Sequence, residues 1–471
     1  MKAILSLSLM FICAATGGAQ TLKPFRAGAV AIDITPLQLP VSMTGSFQDR
    51  QATSAHDPLH ARCIVLESGD TRVAIVVCDV ALINRDIFDA AKKAASKSTG
   101  IPENRILMSS THTHTAPTVV PLAQCRPDLG YVKYLTQRIA EAIEQANKRL
   151  APAQIGWGVA EDSSEVGNRR WFVKSEAIAE TPIGNKNDKV KTNPPRNNDL
   201  LIKPAGPIDP AISIVSIQDS EGKPLALLGN YSLHYVGGIP PNQLSADYFG
   251  EFARRIGERL EAPETFVGIL SNGSSGDINN IRFRSPRPRA GPFERIRAVA
   301  DKIAKAAQNI NSSIQHSENQ SFVMVERTVD LGVRRPDPDL LKRSKNTLAK
   351  AKNPDRLNAA ELYAQEQIRL HEFPTTMNLK LQALRIGELG IVAIPCEVFA
   401  EIGLEIRKQS PFKHTFVIGL ANGYNGYLPT PEQHRLGGYE TWPCSWSYLE
   451  VEASTKIVEQ TLEMLRELKK L

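Results

Sequence analysis

The sequence predicts an α/β fold of mixed sheets flanked by helices, built as one large domain. Three observations predict it. Runs of β-branched residues alternate with segments of helical periodicity along most of the chain. No internal repeat interrupts that alternation, and no stretch has the composition of a linker between independent units. With 471 residues, 42% of them hydrophobic, the chain can bury a core that needs no staples.

In chain order, Lys2, the apolar run Ala3 to Ala15 and the small residues Gly17-Gly18-Ala19 read as a secretory signal peptide cut after Ala19. The run is too short to span a bilayer, so residues 20–471 are expected as a secreted or periplasmic domain. Strands are expected at Ala29 to Ile34, Cys63 to Glu67 and Val73 to Val80 because valine and isoleucine dominate there. A helix follows at Asp86 to Lys97, then a strand at Arg105 to Ser110 and a long helix at Tyr131 to Arg149. Lys174 to Pro207 is rich in Asn, Lys and Pro without periodicity and reads as a long exposed loop that rims a site.

The alternation resumes with strands at Ala211 to Ile217 and Leu225 to His234, a helix at Tyr248 to Leu260, a strand at Thr265 to Leu270 and a helix at Pro292 to Gln308. A strand at Phe322 to Leu331 precedes Pro338 to Phe373, which is alanine-rich and charged on most faces, as a surface helical hairpin is. Strands at Leu381 to Ile386, Gly390 to Ile394 and Thr415 to Leu420 and helices at Glu397 to Lys408 and Trp446 to Leu468 complete the pattern.

Composition narrows function by exclusion. Lysine and arginine outnumber acids 56 to 50, but the basic residues are scattered, which argues against nucleic-acid binding. Six cysteines show no C-x-x-C spacing, and cleavage after Ala19 removes Cys13, leaving an odd number that cannot all pair. A disulfide framework therefore does not hold this fold.

The chemistry-bearing residues collect after apolar strands, where open α/β sheets place ligands. Ser109-Ser110-Thr111-His112-Thr113-His114 follows one such strand, and in an extended segment the two histidines point the same way. The H-x-H spacing alone is weak evidence for a metal. His234 ends a second strand, where a lone histidine is as ordinary a structural residue as a ligand. Glu397, in Pro395-Cys396-Glu397, stands at the expected start of a helix, a place an acid occupies for its own reasons. The Gly/Asn-rich turn Ala421 to Thr430 presents Tyr424 and Tyr427, and tyrosine in a turn is more often packed than reactive. Two histidines, a glutamate and a tyrosine together form an N,N,O,O set suited to zinc with room for water.

These segments, with Asp33-Ile34-Thr35-Pro36, His56-Asp57-Pro58-Leu59, Ser245-Ala246-Asp247-Tyr248, Gly276-Asp277 and Gly426-Tyr427-Leu428-Pro429-Thr430, resemble the neutral/alkaline ceramidase family over nearly the whole mature chain. That resemblance implies the family's catalytic domain and a Zn2+ ion held by His112, His234, Glu397 and Tyr427. It places His114, Arg169 and Tyr439 near the metal as catalytic residues. The family's active-site segment carries a serine after Gly-Asp-Val, where this chain reads Gly276-Asp277-Ile278-Asn279. An amide cannot replace a hydroxyl as nucleophile, although Asn279 can donate to a developing oxyanion. The sequence also ends after one amphipathic helix, without the immunoglobulin-like domain that typical members append.

What the resemblance implies is hydrolysis of an N-acyl amide by water that zinc activates, lowering its pKa from about 15.7 to about 7. The substrate is a small amide or ester, of a lipid or of a sugar derivative, and a lipid substrate implies transient contact with a membrane surface. No obligate protein partner is expected. A non-catalytic lipid- or glycan-binding descendant is the alternative that Asn279 raises. A serine hydrolase using Ser274 or Ser275 lacks the G-x-S-x-G elbow.

Overall fold

The computed structural model describes residues 25–471, so the signal-peptide expectation and Cys13 lie outside the described residues. Two sheets organise the rest. The larger has eight strands, in the spatial order Val267–Asn272, Pro224–Tyr231, Ala211–Asp219, Ala151–Glu161, Arg26–Asp33, His60–Ser68, Thr71–Cys78 and Ile106–Ser110. The smaller orders Phe322–Gly332, Thr376–Ile386, Leu389–Ala393 and His414–Ile418. Most neighbours are antiparallel. The exceptions are Thr71–Cys78 with Ile106–Ser110, Pro224–Tyr231 with Val267–Asn272, and Leu389–Ala393 with His414–Ile418, all parallel.

The sheets pack face to face. Ile64, Ile75 and Val77 of the large sheet share one buried cluster with Leu384, Ile391 and Phe416 of the small one. This follows from alternation: along His60–Ser68, Cys63 and Val65 point the other way and join Phe88, Leu135 and Ile139 of the helices Arg85–Thr99 and Leu129–Lys148. Asp247–Arg259 and Glu294–Asn311 cover the other half of that outer face through Phe252, Ile256 and Ile303. The outer face of the small sheet lies under Ala400–Gln409 and Ala453–Lys470. The result is a helix–sheet–sheet–helix sandwich, and no described helix is long and apolar enough to cross a membrane.

Every strand expected from composition forms, with ends shifted by a few residues. Three expectations change, and a fourth, the helical hairpin, holds. Ala151–Glu161 is an eleven-residue strand that the apolar pattern did not show. Lys174 to Pro207 is not a bare loop: Val190–Thr192 and Leu201–Pro204 flank Arg170–Val173 in a three-stranded sheet. Pro338 to Phe373 is the expected hairpin, two helices broken between Ala349 and Ala359. The helix expected from Glu397 starts at Ala400, while Glu397 and Val398 pair in parallel with Tyr427 and Leu428. All five described cysteines are free and buried, where the odd count required only one to be unpaired.

Candidate metal and active centre

The parallel pairs set the carboxyl ends of their strands side by side, and the chemistry-bearing loops leave from those ends. His112 lies two residues beyond Ser110, His234 three beyond Tyr231 and Glu397 four beyond Ala393. The two edge strands of the large sheet meet there, tied by Asn272 Nδ2 donating to the Thr111 carbonyl (3.0 Å) and the His234 carbonyl (3.3 Å). The small sheet joins through Asn230 Nδ2 to the Val417 carbonyl (3.0 Å) and the Gly419 N–H to the Asn272 carbonyl (3.0 Å).

The histidines converge through a turn rather than along a strand. His112 takes a left-handed backbone, φ 72°, so the extended geometry expected for His112 and His114 does not occur. Their Nε2 atoms nevertheless lie 3.2 Å apart, and His112 Nε2 is 3.0 Å from His234 Nε2. His112 Nδ1 is 2.7 Å from the Ala81 carbonyl and His234 Nδ1 is 3.1 Å from the Ser275 carbonyl. A carbonyl only accepts, so both protons sit on Nδ1 and both Nε2 atoms present lone pairs. Burial first, with the nearby Arg169 charge adding to it, pushes His114 and His234 well below the ordinary imidazole pKa, which keeps them neutral. Lone pairs facing each other at 3 Å repel unless a cation lies among them.

A carboxylate completes the cluster. Glu397 Oε2 lies 3.3 Å from His112 Nε2 and 3.7 Å from His234 Nε2 and has no hydrogen-bond donor, although it is buried. Its other oxygen accepts from the Tyr424 hydroxyl at 3.0 Å. The donor set assembled here is thus three imidazoles and one carboxylate oxygen, which fits a divalent transition metal. His114, expected beside the metal, has its Nε2 within this set. Tyr427, expected as a ligand, stands opposite Glu397 in register, and the Arg169 guanidinium lies over its ring, 5.3 Å from the centroid.

Arg169 is the cation of the pocket. Its Nε donates to Glu440 Oε1 (2.8 Å), its Nη1 lies 3.4 Å from His234 Nε2, and its buried Nη2 has no partner. Glu440 is fully buried and also accepts from Arg170 Nη1 (2.7 Å) and the Thr192 hydroxyl (2.7 Å). The Arg169 backbone is set by its N–H donating to the Asp277 carbonyl at 2.8 Å. Asp277 in turn accepts from the Ala400 N–H (2.9 Å) and Asn168 Nδ2 (2.7 Å), so it holds together the Arg169 strand and the helix behind Glu397. Burial raises its pKa to about 6 against the pull of those donors and of Arg170.

These residues line a cavity of about 500 Å3 with an aromatic wall of Phe47, Tyr439, Trp442 and Trp446. His112, His114, Arg169, His234, Glu397, Tyr427 and Tyr439 are all brought into it. Asn279 is not: it lines a neighbouring cavity, its Nδ2 donating to Asn193 Oδ1 (2.6 Å) and its Oδ1 accepting from the Ile281 N–H (2.9 Å). One of its two amide N–H groups is thereby used, and its place in the neighbouring cavity, not a lack of donors, takes it away from the histidines.

Three residues of the centre escaped sequence reasoning. Tyr424 shares the turn with Tyr427 and was visible as its neighbour. Tyr235 follows His234 and stacks on His114, centroids 3.9 Å apart. Glu440 lies 271 residues from Arg169 and carries no local signal.

No family model matches the chain. The neutral ceramidase of Pseudomonas aeruginosa is 22% identical over 482 residues, covering 88% of this chain and 68% of that protein. The neutral ceramidase of Mycobacterium tuberculosis is 21% identical over 515 residues, covering 92% of this chain and 76% of its own. Among solved structures, the P. aeruginosa neutral ceramidase superposes with a TM-score of 0.70 at 19% identity, covering 95% of this chain and 75% of that one. A ceramidase complexed with C2 superposes at 0.72 and 18% identity, with the same coverage. This chain is thus similar along most of its length to two neutral ceramidases and shares the fold of the solved one.

Proposed function

We propose that the protein is a metal-dependent hydrolase that cleaves an N-acyl amide, with zinc as the metal and water as the nucleophile. The single observation that carries this is the convergence of three imidazole Nε2 atoms and an undonated carboxylate oxygen within 3.0–3.7 Å of His112 Nε2 or His234 Nε2. His112, His114, His234 and Glu397 would hold the ion, with Tyr427 beside them. When bound, a divalent zinc supplies Lewis acidity, activating water at neutral pH and polarising the amide carbonyl.

The chain's own residues supply the rest. Arg169 Nη2 is a buried, unpaired donor, placed to bind the carbonyl oxygen as it gains negative charge. It needs no reorganisation, because Glu440 fixes the guanidinium through Nε. The Ala81 and Ser275 carbonyls fix the imidazole tautomers, and the Tyr424 hydroxyl orients Glu397. The aromatic wall takes an acyl chain and excludes water from it. Asn279 has no covalent part in this scheme. The names of the two relatives support an acylated amine as substrate class.

The test is metal content and turnover on the same preparation. One zinc per chain is expected, lost in His112→Ala and His234→Ala, with chelator-sensitive release of fatty acid from N-dodecanoyl amides. Metal retention unchanged in His112→Ala refutes the site. Absence of turnover across a panel of amides and esters, with metal bound, refutes the hydrolase.

A further inference from the structure

The active centre does not end at Arg169. Arg169, Asn193 and Tyr235 also line the neighbouring cavity, of about 280 Å3, which is therefore an annexe of the main pocket. Six arginines and no carboxylate line this annexe. Four of them, with Arg284, fall within residues 282–295. Pro286 and Pro288 interleave with Arg287 and Arg289, restricting the backbone that carries them.

The local acids, Glu165 and at longer range Asp162, do not neutralise this charge. Glu165, buried beside the annexe, is shared by Arg287, Arg295 and Lys302, so one carboxylate serves three cations. Arg282 reaches only the Ser164 carbonyl (3.3 Å), and Arg196 and Arg289 have no carboxylate partner among the described residues. Asn279 and Asn193, bonded to each other, tie the loop shared by both cavities to this floor. Gathering unpaired guanidiniums around one concavity costs stability unless an anion enters it.

Resting on the hydrolase reading above, we infer that the annexe binds an oxyanion, a phosphate, sulfate, sulfonate or carboxylate group, carried by the amine portion of the substrate. The orientation follows from the walls. The aromatic side of the main pocket suits the acyl chain, Arg169 belongs to both cavities, and the polar end of the amide then extends past it toward Arg196, Arg282 and Arg289. Guanidinium forks match oxyanions two bonds at a time, which a neutral hydroxylated amine cannot exploit.

The test compares N-dodecanoyl-taurine with N-dodecanoyl-ethanolamine on the metal-loaded protein. A kcat/KM at least about tenfold higher for the sulfonate is expected, shrinking as salt rises. In the double variant Arg196→Ala, Arg289→Ala the ratio should fall toward one, and Arg196→Lys, Arg289→Lys should restore part of it. Equal kcat/KM for the two amides in the wild type, or a preference that survives the alanine variant, overturns the inference. So does an unchanged ratio accompanied by lost binding to phosphatidylglycerol vesicles, which would assign the arginines to a membrane surface. If neither amide is cut, the hydrolase reading fails separately. Calorimetric binding then decides the annexe: tighter binding of the taurine conjugate than of the ethanolamide, abolished in the alanine variant, supports it, and equal binding refutes it.

Discussion

Replacing Glu440 by glutamine changes no volume and removes one charge, at a place where that charge has two buried partners. Glu440 and Arg170 are wholly inaccessible and Arg169 nearly so. The carboxylate accepts from Arg169 Nε at 2.8 Å, Arg170 Nη1 at 2.7 Å and the Thr192 hydroxyl at 2.7 Å. A glutamine amide must turn an NH2 toward at least one of these donors and leaves two cations without a counter-charge. Breaking a buried ion pair in this way costs about 3–5 kcal/mol. Arg170 keeps Gln433 Oε1 (3.0 Å) and the Gly437 carbonyl (2.6 Å), which places Glu440→Gln near the lower figure, about 3 kcal/mol. That is more than a 100-fold change in the folding equilibrium, read as a lower urea midpoint at unchanged slope.

Catalysis should suffer beyond stability, because Arg169 loses the group that aims its free Nη2. At temperatures where the variant stays folded, kcat should fall about 10²–10³-fold with little change in KM, as for an oxyanion donor removed. Thr192→Val removes one hydrogen bond and no charge, and should cost only about 1 kcal/mol. The pH dependence has a definite sign. Burial alone would raise the Glu440 pKa, but Arg169 and Arg170 outweigh it and hold it below the ordinary value. Its stabilisation is therefore present above the usual carboxylate pKa and is lost as pH falls through the depressed one, so wild type and Glu440→Gln should converge in acid. An unfolding free energy for the variant within about 1 kcal/mol of wild type at pH 7 would refute the reasoning.

Three further outcomes are expected. Asp277, raised to about 6 by burial, stabilises the fold at low pH and loses that contribution as pH rises from about 4 through 6. Asp277→Asn should flatten stability against pH in that window by up to about 1.4 kcal/mol per unit, and an unchanged slope in urea titrations would contradict it. Tyr424→Phe frees Glu397 Oε1 and should weaken metal affinity about 10–100-fold in chelator competition, whereas a change under about twofold would mean that the hydroxyl does not orient the ligand. Asn279→Ala breaks its tie to Asn193 and should keep turnover of a neutral amide within about tenfold, since about 1 kcal/mol of loop ordering is lost; complete inactivation would restore a reacting role to this position.

How far the sequence revealed this depends on whether the determinant was local. The β-branched strands and amphipathic helices announced themselves because each buries one face against a core. Ala151–Glu161 did not, because Gly156 and Gly158 stand where apolar side chains would mark the pattern. Added Cβ atoms there would sit 2.3 Å from Ile314 and 2.8 Å from Ile310, so the strand lacks side chains where those two isoleucines cover it. Val190–Thr192 and Leu201–Pro204 are strands only because Arg170–Val173 supplies partners on both edges. Glu397 mimics a helix start, but its N–H is taken by the Gly426 carbonyl (2.9 Å), a bond between segments thirty residues apart in outline and invisible to any window. The histidines were legible as types in the right places; the left-handed turn at His112 that joins them was not.

The position of the centre follows from topology more than from any one residue. In an antiparallel pair, the end of one strand adjoins the start of the next, so neighbouring ends cannot deliver two loops to one spot. The two main sheets break their antiparallel order at three pairs, and those pairs place Cys78 beside Ser110, Tyr231 beside Asn272 and Ala393 beside Ile418. Each of these six ends feeds the site. Cys78 leads to the Ala81 carbonyl that fixes His112, Ser110 to His112 and His114, and Tyr231 to His234. Asn272 leads to the Ser275 carbonyl that fixes His234, Ala393 to Glu397, and Ile418 to Tyr424 and Tyr427. His112 and His234 are thus each held by the loop of the neighbouring strand. A substitution that shifts one strand end therefore disturbs a ligand and its support together, because the loops that carry the ligands leave rigid strands within two to four residues.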